Sequence, residues 1–298
     1  MRIITLLVLL ASSGLNAQTG FTPYPSDLLS RVRSLATSIE GDLPQSIAFA
    51  KVAESHRAYA DIIEGGSEEI FVSARSAFQI RYPESTIMLD SGMDEEVHRY
   101  YGFGRTEPYF AEINERVQQA LLSAEQIIIT HEHGDHVAGI VRSPYFRVLA
   151  PKTLMTETQV ATLTQKPQIP QIQLSTEQAN ALRVVEFGRV FAVAPGVVLI
   201  KSPGHTAGHQ MVYVRQANNR EYLFIGDIGW SMDNITEQKL RPEQTISRIG
   251  EDPEALTLQM KWIKDRMDQD GLIVVPSHDD ILLKRYAEEG LLGNRLRL

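Results

Sequence analysis

Residues 130–139 read Thr-His-Glu-His-Gly-Asp-His-Val-Ala-Gly and put three histidines and one aspartate into six positions, in a chain with only eight histidines. Crowding ionisable groups into one loop is costly unless each finds a partner away from water. A metal ion supplies that partner, because neutral imidazole and carboxylate are its ordinary donors. His131 and His133 are two residues apart, so in an extended stretch both face one side. Asp135 and His136 then turn toward a second position, and Gly134 lets the backbone bend between the two pairs.

The same layout recurs further along the chain. An apolar run and a small residue precede His131 ("IIIT", 127–130), His205 ("VVLIKSPG", 197–204), Asp227 ("YLFIG", 222–226) and His278 ("LIVVPS", 272–277). Each run reads as a buried strand, so each donor stands just past a strand's carboxyl end, on a stiff frame with its tip open to a cleft. The set is His131, His133, Asp135, His136, His205, Asp227 and His278, and it uses five of the eight histidines. That is too many donors for one tetrahedral zinc and suits two metals with a shared carboxylate. Zinc is the expected ion, two per chain, and manganese or iron accepts the same donors.

H-x-H-x-D-H at 131–136, G-H-T-x-G-H at 204–209, "GD" at 226–227 and "SH" at 277–278 together resemble the metallo-β-lactamase superfamily. The resemblance runs from about residue 68 to the C-terminus and implies a four-layer αβ/βα sandwich with its site at one edge between two sheets. By position it implies that His131, His133 and His205 hold one metal. Asp135, His136 and His278 would hold the other, with Asp227 bridging. Asp90 in "MLDSGM" resembles the family's buried aspartate that supports the ligand loop. His209 reads as a packing or supporting residue, and His56 and His98 as ordinary histidines.

The implied chemistry is a metal-bridged hydroxide attacking a carbonyl carbon, with Asp135 and Asp227 as the catalytic carboxylates and Asp135 moving the proton. Layout and the "GDIGWSMDN" run, 226–234, are most similar to the N-acyl homoserine lactonase branch, which points to a small ester or lactone. One departure is plain. That branch usually carries a tyrosine three residues after the bridging aspartate, and here the position is Trp230, which has an N–H donor but no titratable group. Trp230, Tyr100 and Tyr101 are therefore the candidate substrate contacts. A β-lactamase or thioesterase on the same site, and a mononuclear iron sulfur dioxygenase, are the alternatives.

The remaining chain sets the context. Over 298 residues, 43% are hydrophobic and 22% charged, an ordinary globular balance. The net charge of −8 argues against nucleic acid as a partner and leaves a small molecule. Residues 1–17, with Arg2, an apolar run and small residues after it, read as a secretory signal peptide. The protein is thus expected to be secreted or periplasmic, without a stable membrane anchor after cleavage. There is no cysteine, so no disulfide assists it there.

Residues 18–298 read as one α/β domain with an extra N-terminal segment, 18–67. Helical spacing covers 26–39, 112–122 and 254–270, and "ILLKRYAEEG" (281–290) closes the chain as a helix. "QSIAFAKVAES" is ambiguous between helix and strand and leans to strand. "EEIFVSARSAFQIRY", "STIMLDSGM" and "YFRVLAP" read as strands. Residues 98–110 read as an aromatic loop, and 151–180 as a polar insertion; both could shape a pocket or the surface of a homodimer.

Overall fold

A strand that is apolar on both faces needs cover on both sides. In β8 (Val197–Lys201) and β9 (Gln210–Arg215) every second residue points to each face. Val197, Leu199, Val212 and Val214 join one core, while Val198, Ile200, Met211 and Tyr213 join another. The computed structural model, which describes residues 21–298, satisfies both faces with two stacked sheets and helices outside them. The leader-type stretch at 1–17 lies outside the described residues.

The first sheet runs β1 (Ser46–Ala58), β2 (Ile70–Arg81), β3 (Thr86–Leu89), β4 (Gln126–Ile128), β5 (Thr153–Thr156) and β6 (Arg183–Val185) in spatial order. Pairing is antiparallel from β1 to β3 and parallel from β3 to β6. The second sheet has the order β11-β10-β9-β8-β7, with β7 at Val190–Ala194, β10 at Glu221–Gly226 and β11 at Ile273–Pro276. Only β10 and β11 are parallel in it.

Between the sheets lies a core of Ile47, Phe78, Ile80, Leu199, Val212 and Phe224 with their neighbours. Phe78 meets Phe224 edge-on at 5.0 Å across it. Outside the first sheet, the helices Ala111–Ser123 and Gly134–Val141 pack through Val117, Leu121, Val137 and Ile140. Outside the second, Leu28–Ala36 and Pro253–Asp270 pack through Leu28, Val32, Leu256 and Ile263. The four expected layers are present. The segment before residue 67 is built into both halves, its helix on the second sheet and β1 on the edge of the first. Among the described residues no helix is long and apolar enough to cross a membrane.

Three local expectations are corrected. "YFRVLAP" is not a strand: Phe146–Leu149 is a helical turn with a 3-10 turn after it. Phe146 and Leu149 pack inward at i, i+3 while Val148 is exposed, which is helical spacing in a short apolar run. Residues 151–180 are not an insertion. They contain β5 and the helix Glu157–Gln165, and bury Leu163, Ile169, Ile172 and Leu174 in the outer core of the first sheet. The aromatic loop at 98–110 begins as the end of a helix, Glu95–Tyr101, capped by the Asp94 carboxylate.

The fold brings backbone to backbone beside the histidine loop. The Gly139 N–H donates to the Gly92 carbonyl at 3.0 Å, and a Cβ at 139 would lie 2.1 Å from the Ser91 carbonyl oxygen. Gly139→Ala should therefore cost about 3 kcal/mol or more in urea unfolding of chelated protein. Gly188→Ala, where a Cβ meets nothing within 4 Å, should cost far less. Equal stability of the two variants would contradict the packing described.

Candidate metal centre

β8, β10 and β11 point the same way, so the residues after them meet at one edge of the second sheet. His205, Asp227 and His278 arrive there. β4 delivers 129–133 from the first sheet, and the helix Gly134–Val141 starts with His133 at its N-cap. The Gln210 N–H donates to the Thr130 carbonyl at 2.8 Å, which ties the two deliveries together.

All seven predicted donors converge and are buried. The Asp227 carboxylate sits among four imidazoles. Its Oδ2 is 3.1 Å from His278 Nε2, 3.4 Å from His205 Nε2 and 3.8 Å from His131 Nε2, and its Oδ1 is 3.4 Å from His136 Nε2. His133 Nδ1 is 2.9 Å from His205 Nε2. Asp135 Oδ2 is 3.5 Å from His278 Nε2 and 3.7 Å from His136 Nε2. Three groups have donor atoms within 4.8 Å of one another: His131/His133/His205, His131/His136/Asp227 and Asp135/His136/His278.

The donor atoms fit a cation better than they fit each other. His131 Nε2, His136 Nε2 and Asp227 Oδ1 are buried and make no hydrogen bond. Orphaned polar atoms are rare in folded proteins, and these three are turned on one small volume.

Outer contacts hold the rings. Asp90 Oδ2 is 2.8 Å from His136 Nδ1, and the same carboxylate accepts from the Thr130 N–H at 2.7 Å. Asp90 pays for this with a left-handed φ of 58°, which four polar contacts hold in place. His278 Nδ1 donates to the Ala74 carbonyl at 2.7 Å. His205 Nδ1 is 2.5 Å from Glu251, which Arg241 in turn engages with two nitrogens. Such partners orient a ligating ring and strengthen its free nitrogen. His209, read as supporting, accepts the Asp227 N–H on Nε2 at 3.1 Å. Gly226 leaves room for that ring: at φ 53° its Cβ would come within 2.4 Å of His209 Nε2.

Burial and neighbouring charge set the protonation pattern. Burial and the other imidazoles hold His131 and His133 well below the usual histidine range. Burial opposes a charge on His136 too, but Asp90, Asp135 and Asp227 overcome it and raise that ring well above its ordinary value. Against burial, Arg75 with His136 and His278 holds Asp135 down, and four histidines do the same for Asp227. The metal-free chain thus sets ionised Asp135 and Asp227 beside a protonated His136, with His131 and His133 neutral.

Four residues of the site escaped the sequence. Glu132, between two ligand histidines, is buried and accepts from the Gly208 N–H and Thr206 hydroxyl at 3.1 and 2.9 Å. Glu251 and Arg241 carry no motif. Arg75 bonds Asp135; a lone charge among the small residues of "VSARSA" was its visible signal. Gly134 is needed for another reason than a bend. Its Cβ would lie 2.5 Å from the Tyr101 hydroxyl, which accepts the Gly134 N–H.

A cavity of about 610 Å³ opens over the cluster. Trp230, Tyr100 and Tyr101 all line it, with Phe103, Ile169 and Ile249. The Trp230 Nε1–H donates to Asp227 Oδ2 at 2.9 Å, and the Arg241 guanidinium stacks 4.8 Å over its ring. The Tyr101 hydroxyl is engaged by Gly134 and Gln168, whereas Tyr100 is half exposed at the rim.

Two stacked sheets with a histidine–aspartate cluster at their shared edge make this a metal-site sandwich protein. The metallo-beta-lactamase superfamily model matches residues 71–278, and the chain belongs to that superfamily. An N-acyl homoserine lactonase of Bacillus thuringiensis is 27% identical over 89 residues, 30% of this chain and 33% of its own. A hydroxyacylglutathione hydrolase of Vibrio campbellii is 30% identical over 150 residues, 47% and 49% of the two chains. The chain therefore spans a third to a half of the length of these curated relatives. A solved N-acyl homoserine lactone hydrolase, with N-hexanoyl-L-homoserine at its catalytic metal centre, superposes with a TM-score of 0.65 at 18% identity. It covers 82% of this chain and 96% of its own, a likeness of fold.

His209 gives a pH test. Burial, then the charge of His205, pushes its ring down to about 3, whereas an unfolded histidine titrates at about 6.5. Between those values the unfolded chain binds a proton that the folded chain does not. Stability of metal-free protein should therefore fall as pH drops from about 6.5 toward 3. In urea unfolding across that window, His209→Asn should show a shallower pH slope than wild type; identical slopes would contradict the assignment.

Proposed function

We propose that the protein is an exported, dinuclear metal-dependent hydrolase acting on the carbonyl of a small ester or lactone. One observation carries the reading: a single buried carboxylate, Asp227, lies within 3.8 Å of imidazoles from both donor groups, His131 and His205 of one and His136 and His278 of the other. His131, His133 and His205 would hold one ion, Asp135, His136 and His278 the second, and Asp227 both. Zinc suits the donors best, with manganese or iron acceptable. Such ions supply Lewis-acid activation of a water and of a carbonyl oxygen.

The chain's own residues do the rest. Asp135, kept ionised by Arg75, takes the proton of the attacking water and passes it to the leaving group. Trp230 holds Asp227 through its N–H and offers the leaving group no hydroxyl, unlike the tyrosine the lactonase resemblance leads one to expect. Tyr100, Phe103 and Ile169 form an apolar wall suited to an acyl chain and to excluding water. Phe103 is 71% exposed, and the same face would serve a homodimer. Export rests on residues 1–17 of the sequence.

A second reading, a thioesterase, draws on the hydroxyacylglutathione hydrolase likeness and on Lys166 and Arg248. Both line the cavity, and among the described residues neither has an acidic partner, so they suit an anionic acyl or thiol group.

Hydrolysis of a homoserine lactone, a cephalosporin and a thioester should be compared on one preparation. The lactone is expected to turn over fastest, with activity abolished by chelation and restored by zinc. Asp227→Ala should lose about a thousandfold in kcat/KM, ~4 kcal/mol of transition-state stabilisation. Full activity after exhaustive chelation, or oxygen uptake with a persulfide on one bound iron, would overturn the proposal.

A further inference from the structure

Arg75 stands where a cation is least expected. It lies within β2 with its side chain 14% exposed. Its Nη1 donates to Asp135 Oδ2 and is 3.4 Å from His278 Nε2, so it borders the volume that Asp135, His136 and His278 enclose. Its Nη2 donates to the Ser55 hydroxyl at 3.3 Å. The next residue back, Ala74, is clasped by His278 in both directions: the Ala74 N–H donates to the His278 carbonyl and the Ala74 carbonyl accepts from His278 Nδ1. Arginine and ligand histidine therefore share one backbone clamp.

Among the described residues, no arginine or lysine bonds the side chains of the other donor group, His131, His133 and His205. Behind His205 is a carboxylate, Glu251, and the arginine that balances it, Arg241, lies beyond that carboxylate. A carboxylate thus backs an imidazole in each set, Glu251 behind His205 and Asp90 behind His136, and only the second set also shares one of its own donors, Asp135, with a positive charge. At close range and with little water between them, like charges weaken binding strongly.

We propose that Arg75 is a built-in cation that makes the two ion positions unequal: the His131/His133/His205 position fills tightly, and the Asp135/His136/His278 position fills only at higher metal concentration. This rests on the two-ion reading above and adds an order of filling to it. The guanidinium already neutralises Asp135, so an ion entering the second position must displace that bond and tolerate the guanidinium nearby.

Zinc titration of the full, chelator-stripped chain tests it, read by calorimetry and by metal content after gel filtration. Wild type should show one tight equivalent and a second at least about 100-fold weaker, and should retain one zinc after filtration. Arg75→Met should bind the second equivalent at least about tenfold more tightly, with the first unchanged. Arg75→Lys, which keeps a charge, should stay near wild type, and circular dichroism checks that each variant is folded. Two equal equivalents in wild type would overturn the inference, whatever the variants do. So would an Arg75→Met second site no tighter than wild type; if that variant does not fold, Arg75→Gln makes the comparison. Absence of any zinc binding would instead sink the two-ion reading itself.

Discussion

The buried Asp227 carboxylate and the imidazoles around it are the constraint on which the rest of the structure depends. A buried ionised carboxylate costs several kcal/mol unless charge or hydrogen bonds compensate. Here the compensation is spread over rings from both sheets, each with one nitrogen turned inward. The sheets cannot slide past one another without breaking it. The linked positions of β4, β8, β10 and β11 are therefore as much a property of the site as of the core.

Around that carboxylate the chain uses two devices. Outer acceptors and donors, Asp90, the Ala74 carbonyl and Glu251, aim individual rings. Close approaches permitted only by glycine bring backbone against them. Gly226 admits His209, Gly134 admits the Tyr101 hydroxyl, and Gly139 admits the Ser91 carbonyl. Trp230 belongs to both the frame and the cavity, since one edge of its ring bonds Asp227 while it lines the pocket. A substitution there changes the carboxylate's position together with the shape of the substrate space.

Much of this was legible in the sequence because donors placed after apolar strands leave a strong pattern. The seven donors, the strands that carry them and the layered architecture follow from local chemistry and from the family likeness. What was missed depends on tertiary contact. Phe146–Leu149 is too short for its i, i+3 spacing to be told from a strand's alternation. Residues 151–180 look polar because only a few of their side chains, such as Leu163 and Ile172, are buried among many exposed ones. Glu251 and Arg241 stand far in sequence from the motif they support. Arg75 becomes meaningful only once β2 is seen to pass beside His278.

Anomalous diffraction at the zinc edge, from crystals grown with zinc, tests the central claim most directly. The account predicts a peak in bonding contact with His131, His133 and His205, a second with Asp135, His136 and His278, and Asp227 touching both. A map with no peak at Asp227, or with zinc held only by other surface groups, would contradict it.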